Sequence, residues 1–282
     1  MPGTRRATEA SDGARAVEEA VAALSLQQHD GRLDGSVPAN MWGPVVFGGF
    51  ALAHAVAAAT HDAPPGRRLQ SLHAHFLRPV RGGAPISYRV STLTEGRTLS
   101  VRRLDAEQAD QHVLAMTCTL SADAESYEYQ AEMPDGLPEP EALPARLIGP
   151  WLNAPLGPTE PRPDGTRRAT HRMWFRTASA LPDDSHLAAA FTAFATDFTY
   201  TGARPLHLEG DTRGVISLDH AAWFHRPPRP DAWMYYEVQS LVNTAGRGLL
   251  RGAMYARDGS LCVTVAQETI LRRYEAAEPR SS

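Results

Sequence analysis

Hydrophobic and polar positions along this chain change period several times, and the changes mark out elements. Ala16 to Leu26 spaces Val17, Val21, Ala22 and Leu24 for one face of a helix. Gly43 to Gly49 is turn-rich and opens into Phe50-Ala51-Leu52-Ala53-His54-Ala55-Val56-Ala57-Ala58-Ala59. That run is apolar almost all round, which marks a helix buried on every side, and Pro64-Pro65-Gly66 ends it. Strand-like runs follow at Leu69–Leu77, Ile86–Leu93, Ser100–Ala106 and His112–Leu120, parted by Gly or polar turns such as Glu95-Gly96. The pattern then lapses. Nine of the 22 prolines fall between Pro134 and Pro163, so 122–170 reads as a Pro-rich linker or an ordered surface wrap. Beyond it the first pattern returns, with a helix over His186–Phe198 and strands over Gly214–Phe224, Trp233–Val242, Arg247–Ala256 and Leu261–Arg272. Asp258-Gly259 supplies the hairpin turn between the last two.

One long helix followed by four or five antiparallel strands, twice over, predicts an α+β architecture in which each half wraps a curved sheet around its helix. The sequence itself repeats. Ser71-Leu72-His73-Ala74-His75-Phe76-Leu77-Arg78-Pro79 is answered by Asp219-His220-Ala221-Ala222-Trp223-Phe224-His225-Arg226-Pro227. Adding 148 to Phe76, Arg78, Pro79, Tyr88 and Val90 gives Phe224, Arg226, Pro227, Tyr236 and Val238. A period this long is no solenoid, whose repeats run to about 20–50 residues. It points to a duplicated domain whose halves pair across a pseudo-two-fold seam, an intramolecular version of a homodimer. The expected layout is a disordered tail over 1–14, a first half over 15–121, the Pro-rich segment over 122–170, a second half over 171–275 and a tail over 276–282.

Composition narrows the function. Net charge is -4 over 282 residues, and no basic stripe or polybasic run argues for nucleic acid or a membrane surface. All 28 basic residues are Arg, which removes a Schiff-base lysine and any lysine-bearing phosphate loop. Cys118 and Cys262 lie in apolar strand-like runs and are expected to be buried and reduced, too few for a cysteine-based zinc knuckle. No segment has signal-peptide or membrane-span character, and Phe47–Thr60 is too short to cross a bilayer, so the cytoplasm is the expected compartment.

Several motifs are absent or weak. There is no Gly-x-Ser-x-Gly elbow and no His-Glu-x-x-His, and Gly246-Arg247-Gly248 lacks the third glycine of a dinucleotide fingerprint. His73 and His75 share a strand face and could bind metal only with a third ligand. Strict alternation sends Asp219 and His220 to opposite faces, so that pair is not expected to meet without a bulge. The same alternation places Ser217 with Asp219, Ala221 and Trp223, and His220 with Ile216 and Leu218.

Three polar residues sit awkwardly in apolar surroundings. Asp197 falls below Ala190 and Ala193 on a helix whose neighbouring stripe carries Phe191, Phe194 and Phe198, where a carboxylate needs partners. Ser217 offers a hydroxyl on a strand. Gln267 interrupts Val263-Thr264-Val265-Ala266, and a primary amide there also needs partners. On residue chemistry alone these remain a helix-end acid, a strand hydroxyl and an edge amide as readily as a site.

Val46-Phe47-Gly48-Gly49, His73-Ala74-His75-Phe76-Leu77-Arg78-Pro79, Ala195-Thr196-Asp197-Phe198, Leu218-Asp219-His220-Ala221-Ala222-Trp223-Phe224-His225-Arg226-Pro227, Arg247-Gly248 and Val265-Ala266-Gln267-Glu268 decide between these readings. With them the chain resembles the type II acyl-CoA thioesterases, a double hotdog family, over roughly residues 15–275. The resemblance implies hydrolysis of acyl thioesters without a cofactor or metal, on a catalytic set of Asp197, Ser217 and Gln267. Ser217 stands where Thr is frequent and keeps the hydroxyl. Phe50 stands where many members carry Gln, which bears on the acyl pocket. It implies Asp197 as general base, Ser217 and Gln267 positioning the water, and backbone amides at Gly48-Gly49 as oxyanion donors at a helix start. The expected partner is acyl-CoA or an acyl chain on a carrier protein. A non-catalytic acyl-CoA-binding protein of the same fold is the alternative, and a hotdog hydratase relying on His54 a weaker one. Chain length, the CoA-binding arginines and the oligomeric state, homo-oligomer included, stay open.

Overall fold

The computed structural model describes residues 2–39, 45–157, 170–198 and 215–271. In chain order the elements are α1 (Pro2–Ala23), β1 (Gln27–His29), β2 (Arg32–Ser36), α2 (Gly48–Thr60), β3 (Arg68–Phe76), β4 (Pro85–Glu95), β5 (Leu99–Gln108), β6 (Gln111–Ser121), β7 (Arg146–Ile148), β8 (Trp151–Pro155), β9 (Thr170–Thr177), α3 (Ser185–Thr196), β10 (Val215–Ser217), β11 (Asp219–Phe224), β12 (Met234–Thr244), β13 (Arg247–Ala256) and β14 (Leu261–Leu271).

Among the described residues the strands form one continuous antiparallel sheet, ordered β1-β2-β4-β5-β6-β3-β11-β14-β13-β12-β9-β8-β7, with β10 also paired to β14. The repeat explains the order. Each half contributes the same hairpin meander, and the equivalent strands β3 and β11 meet at the middle, Ala74 opposite His220 and Leu72 opposite Ala222. The repeated arginines serve this frame. Arg78 Nη1 donates to the His112 carbonyl at 2.8 Å and Arg226 Nη1 to the Leu261 carbonyl at 3.1 Å, each tying the end of a seam strand to the last strand of its own half.

α2 and α3 lie against each other within the curved sheet. From Gly49 to Thr60 every residue of α2 except Ala57 is buried, as its all-round apolarity requires. Small Ala side chains let the helices approach, and Phe50 and Phe194 fill the contact edge to face, ring centroids 5.5 Å apart. Phe50 is fully buried there. His54 is fully buried too: Nε2 donates to the Ala23 carbonyl at 2.6 Å and Nδ1 accepts from the Tyr88 hydroxyl at 2.9 Å. Burial holds it neutral, with its pKa lowered to about 4. Nε2 pins α1 onto α2 and Nδ1 is held by Tyr88 of β4, so both ring nitrogens are committed, which leaves the hydratase reading without its histidine.

One expectation is corrected. The tail expected over 1–14 is helical from Pro2. Gly13, Val17, Ala20 and Leu24 share one face, and a Cβ at Gly13 would meet the Ala178 methyl at 2.6 Å and Leu147 at 3.0 Å, so the helix docks closely on the second half. Of the two readings of the Pro-rich segment, its described part over 122–157 follows the ordered wrap. It supplies β7 and β8, and Trp151 is fully buried against Phe175, Phe191, Phe194 and Phe198, with ring centroids 5.4 to 5.9 Å away. The expected tail over 276–282 and Arg272 lie outside the described residues.

Candidate active site

Asp184 caps the start of α3, accepting the His186 and Leu187 amides at 2.8 and 3.1 Å. Twelve residues later the helix stops at Thr196, and Asp197 leaves it with φ -83° and ψ 5°. The side chain of Asp197 is only 3% exposed. It points at the N-terminus of α2, whose Gly49 backbone N–H donates to the carboxylate. Glycine is required here by closeness. A Cβ at Gly48 would stand 2.7 Å from Asp197 Oδ2, and one at Gly49 would stand 2.2 Å from the Phe194 carbonyl.

The second half of the sheet brings the other two residues. Gln267, on β14, is 1% exposed; its Nε2 donates to Asp197 Oδ1 at 2.8 Å and to Ser217 Oγ at 2.6 Å. Ser217 Oγ lies 3.4 Å from Asp197 Oδ1, a longer contact. Asp197, Ser217 and Gln267 therefore converge on one point although 70 residues separate the first from the last. Burial dominates the carboxyl and raises its pKa to about 7, against the opposing pull of Gln267, the Gly49 amide and Ser217. A carboxylate half-ionised near neutrality, with polar donors fixed around it, suits proton transfer from a water molecule.

The strict alternation expected for 214–224 fails at Leu218. Ser217 pairs with Thr269 while Ala221 pairs with Ala266, so one strand spends four steps where its partner spends three. This is a β-bulge. Leu218 keeps both backbone bonds, donating to the Glu268 carbonyl and accepting from the Phe76 amide at 2.9 Å each. Asp219 Oδ1 accepts the displaced Glu268 amide at 2.7 Å. The bulge turns His220 inward beside Ser217, contrary to the expected faces, and His220 Nδ1 lies 3.1 Å from Gln267 Oε1. As expected, Asp219 and His220 take up different partners. His220 is the residue that sequence reasoning passed over. Its signal, a histidine three residues from a seam strand's site serine, only acquires meaning once the bulge is known.

No group of three metal-ligating side chains exists among the described residues. His73 and His75 are exposed on β3, and His73 meets the Trp223 ring edge to face. A cavity of about 250 Å³ lies away from Asp197, Ser217 and Gln267. That cavity is lined by Pro64, Pro65, Arg68, His186, Ala189 and Phe224, at the opposite ends of α2 and α3 from Asp197. Residues 40–44 and 199–214, which neighbour Gly48 and Asp197 in sequence, lie outside the described residues.

Both halves of the chain match known proteins. Residues 151–270 match the family model described as acyl-CoA thioesterase, and residues 36–121 match the acyl-CoA thioesterase N-terminal domain. The chain is 33% identical to acyl-CoA thioesterase 2 of Haemophilus influenzae over 251 residues, covering 80% of this chain and 87% of that protein. It is 28% identical to human acyl-coenzyme A thioesterase 8, covering 83% of each. Among solved structures, the acyl-CoA thioesterase II TesB2 of Mycobacterium marinum superposes with a TM-score of 0.79 at 29% identity, over 91% of this chain and 98% of that one. A repeated sheet-and-helix unit, a seam between equivalent strands and matches to both halves lead to one conclusion: the chain belongs to the type II acyl-CoA thioesterase family, with the double hotdog fold.

Proposed function

We propose that this acyl-CoA thioesterase cleaves its substrate by direct attack of a water molecule activated by Asp197, with no covalent acyl-enzyme. The observation that carries the reading is the convergence of a buried carboxyl, an amide and a hydroxyl within hydrogen-bond reach of one another. A thioester carbonyl is electrophilic enough for an oriented water to attack. Asp197 takes a proton as the oxygen adds to the carbonyl carbon, while Ser217 and Gln267 hold the water in line. The tetrahedral intermediate collapses, the C–S bond breaks, and Asp197 returns its proton to the departing thiolate. Free acid and CoA result.

The oxyanion would be met by the Gly48 and Gly49 amides at the start of α2, where the helix end favours negative charge. The Gly49 N–H is held by the ionised carboxylate in the resting protein. Once Asp197 is protonated, the negative charge resides on the substrate oxygen, and the same helix end can follow it. On this reading the base comes from the second half and the oxyanion donors from the first, so neither half suffices alone.

CoA esters are our preferred substrates over carrier-bound acyl chains, because the relatives are named for acyl-CoA. No helix among the described residues is long and apolar enough to cross a membrane. Two buried free thiols, Cys118 and Cys262, support a reducing compartment, which we take to be the cytoplasm.

The test is thiol release from acyl-CoAs of short to long chain by wild type and by Asp197→Asn. A loss of about 10²–10⁴-fold in kcat is expected in the variant. Equal activity in the two proteins would remove Asp197 as the base. A higher kcat/KM on acyl-carrier protein than on any CoA ester would reassign the substrate.

A further inference from the structure

Gln267 has two ends that differ by one atom type and hardly at all in shape. Its function in the proposed chemistry requires the NH2 end on Asp197 and Ser217, since an ionised carboxylate only accepts. Turned the other way, the amide would set Oε1 against Asp197 Oδ1 at the observed 2.8 Å, acceptor against acceptor. Something must fix the sense, and the bulge supplies it. His220, 1% exposed, faces Gln267 with Nδ1 at 3.1 Å and Thr196 Oγ1 with Nε2 at 2.8 Å. Burial lowers its pKa to about 4, so the ring is neutral and carries one proton.

That proton can take two places. With it on Nδ1, His220 donates to Gln267 Oε1 and accepts the Thr196 hydroxyl on Nε2, which draws that hydroxyl off the Ala193 carbonyl 2.6 Å away. With the proton on Nε2, His220 donates to Thr196, whose hydroxyl turns to the Ala193 carbonyl at 2.6 Å, and the bare Nδ1 demands the amide NH2. The tautomer of His220 and the sense of Gln267 are thus a single choice. Among the described residues, the titratable groups facing this cluster are Asp197, at the end of α3, and Tyr236, on β12, whose hydroxyl is occupied in donating to the Thr196 carbonyl at 2.7 Å.

We infer that His220 is a positioning residue for thioester hydrolysis: as the Nδ1–H tautomer it holds the carbonyl end of Gln267 and so turns the amide NH2 onto Asp197 and Ser217. The inference rests on the reading of those three residues as the water-activating set. His220 touches no reacting atom and acts only through Gln267.

Two substitutions separate the two ring nitrogens. His220→Asn keeps an N–H near the Nδ1 position, and His220→Gln keeps one near Nε2 and removes the donor to Gln267. The Gln variant should lose about 10²-fold in kcat, the scale of a misplaced catalytic group, with KM little changed. Its acid limb in kcat should move to higher pH, because Asp197 loses a donor that favours its ionised form. The Asn variant should retain most of kcat with the limb in place. Equal kcat in the two variants, or a faster Gln variant, overturns the inference. A second measurement needs no variant. Nitrogen-15 spectra of the wild-type enzyme at pH 8 should show His220 protonated at Nδ1 and bare at Nε2, and the reverse assignment overturns the inference. Failure of the underlying reading looks different: Asp197→Asn would then keep its activity, whatever the His220 variants do.

Discussion

Asp197 places a testable cost on the fold. Its carboxyl moves from an ordinary value of 3.8 to about 7 on folding, a shift worth about 4 kcal/mol at about 1.4 kcal/mol per unit. The sign follows from proton binding. Between those two pH values the native protein holds the proton that the unfolded chain has released, so stability falls as pH rises through that window and levels off above it. Asp197→Asn removes the titration. The Asn amide can keep its oxygen toward Gln267 but then sets its NH2 toward the α2 helix end, a donor mismatch costing about 1–3 kcal/mol. The variant should therefore be slightly less stable than wild type near pH 5 and more stable near pH 8.5. Other groups titrate alike in the two proteins and cancel. Integrating the linkage over that interval gives a relative gain of about 3 kcal/mol for Asn. Urea unfolding at matched ionic strength across pH 5 to 8.5, read as the difference between the two proteins, measures it. A difference that stays flat within about 0.5 kcal/mol, the scatter expected of such comparisons, would refute the raised carboxyl and with it a base poised near neutrality.

The remaining predictions concern activity and packing. In wild type, kcat should rise with pH along one acid limb centred near 7, since only ionised Asp197 can take a proton; a pH–rate profile flat from 6 to 8 would contradict this. Ser217→Ala should cost roughly tenfold in kcat, well short of Asp197→Asn, because the hydroxyl stands 3.4 Å from the carboxylate while Gln267 stands at 2.8 Å. Gly49→Ala should destabilise severely, by about 3 kcal/mol or more, because the new methyl meets a backbone carbonyl at 2.2 Å; thermal unfolding indistinguishable from wild type would show that the helices can part. Trp151→Ala should cost about 3–5 kcal/mol although the residue lies in the Pro-rich segment, and a loss below about 1 kcal/mol would mean that the wrap is not part of the core.

Much of this architecture was legible because periodicity is local. The all-round apolarity of Phe50–Ala59 and the alternating runs around it state their own burial, and the 148-residue echo states that the unit occurs twice. The resemblance then drew attention to Asp197, Ser217 and Gln267, whose types alone left ordinary structural roles open. What the chain could not state along its own length was decided by long-range contact. Gly13 lets α1 pack closely on Leu147 and Ala178, and the described part of the Pro-rich segment is anchored where Trp151 enters a ring of four phenylalanines. The extra residue at Leu218 exists only relative to the partner strand β14, so no alternation rule applied to 214–224 could reveal that Ser217 and His220 face the same way. The shifted carboxyl of Asp197 likewise belongs to no residue's own chemistry. It arises where the end of α3, the start of α2 and the middle of β14 exclude water together, and that juxtaposition is a property of the tertiary fold.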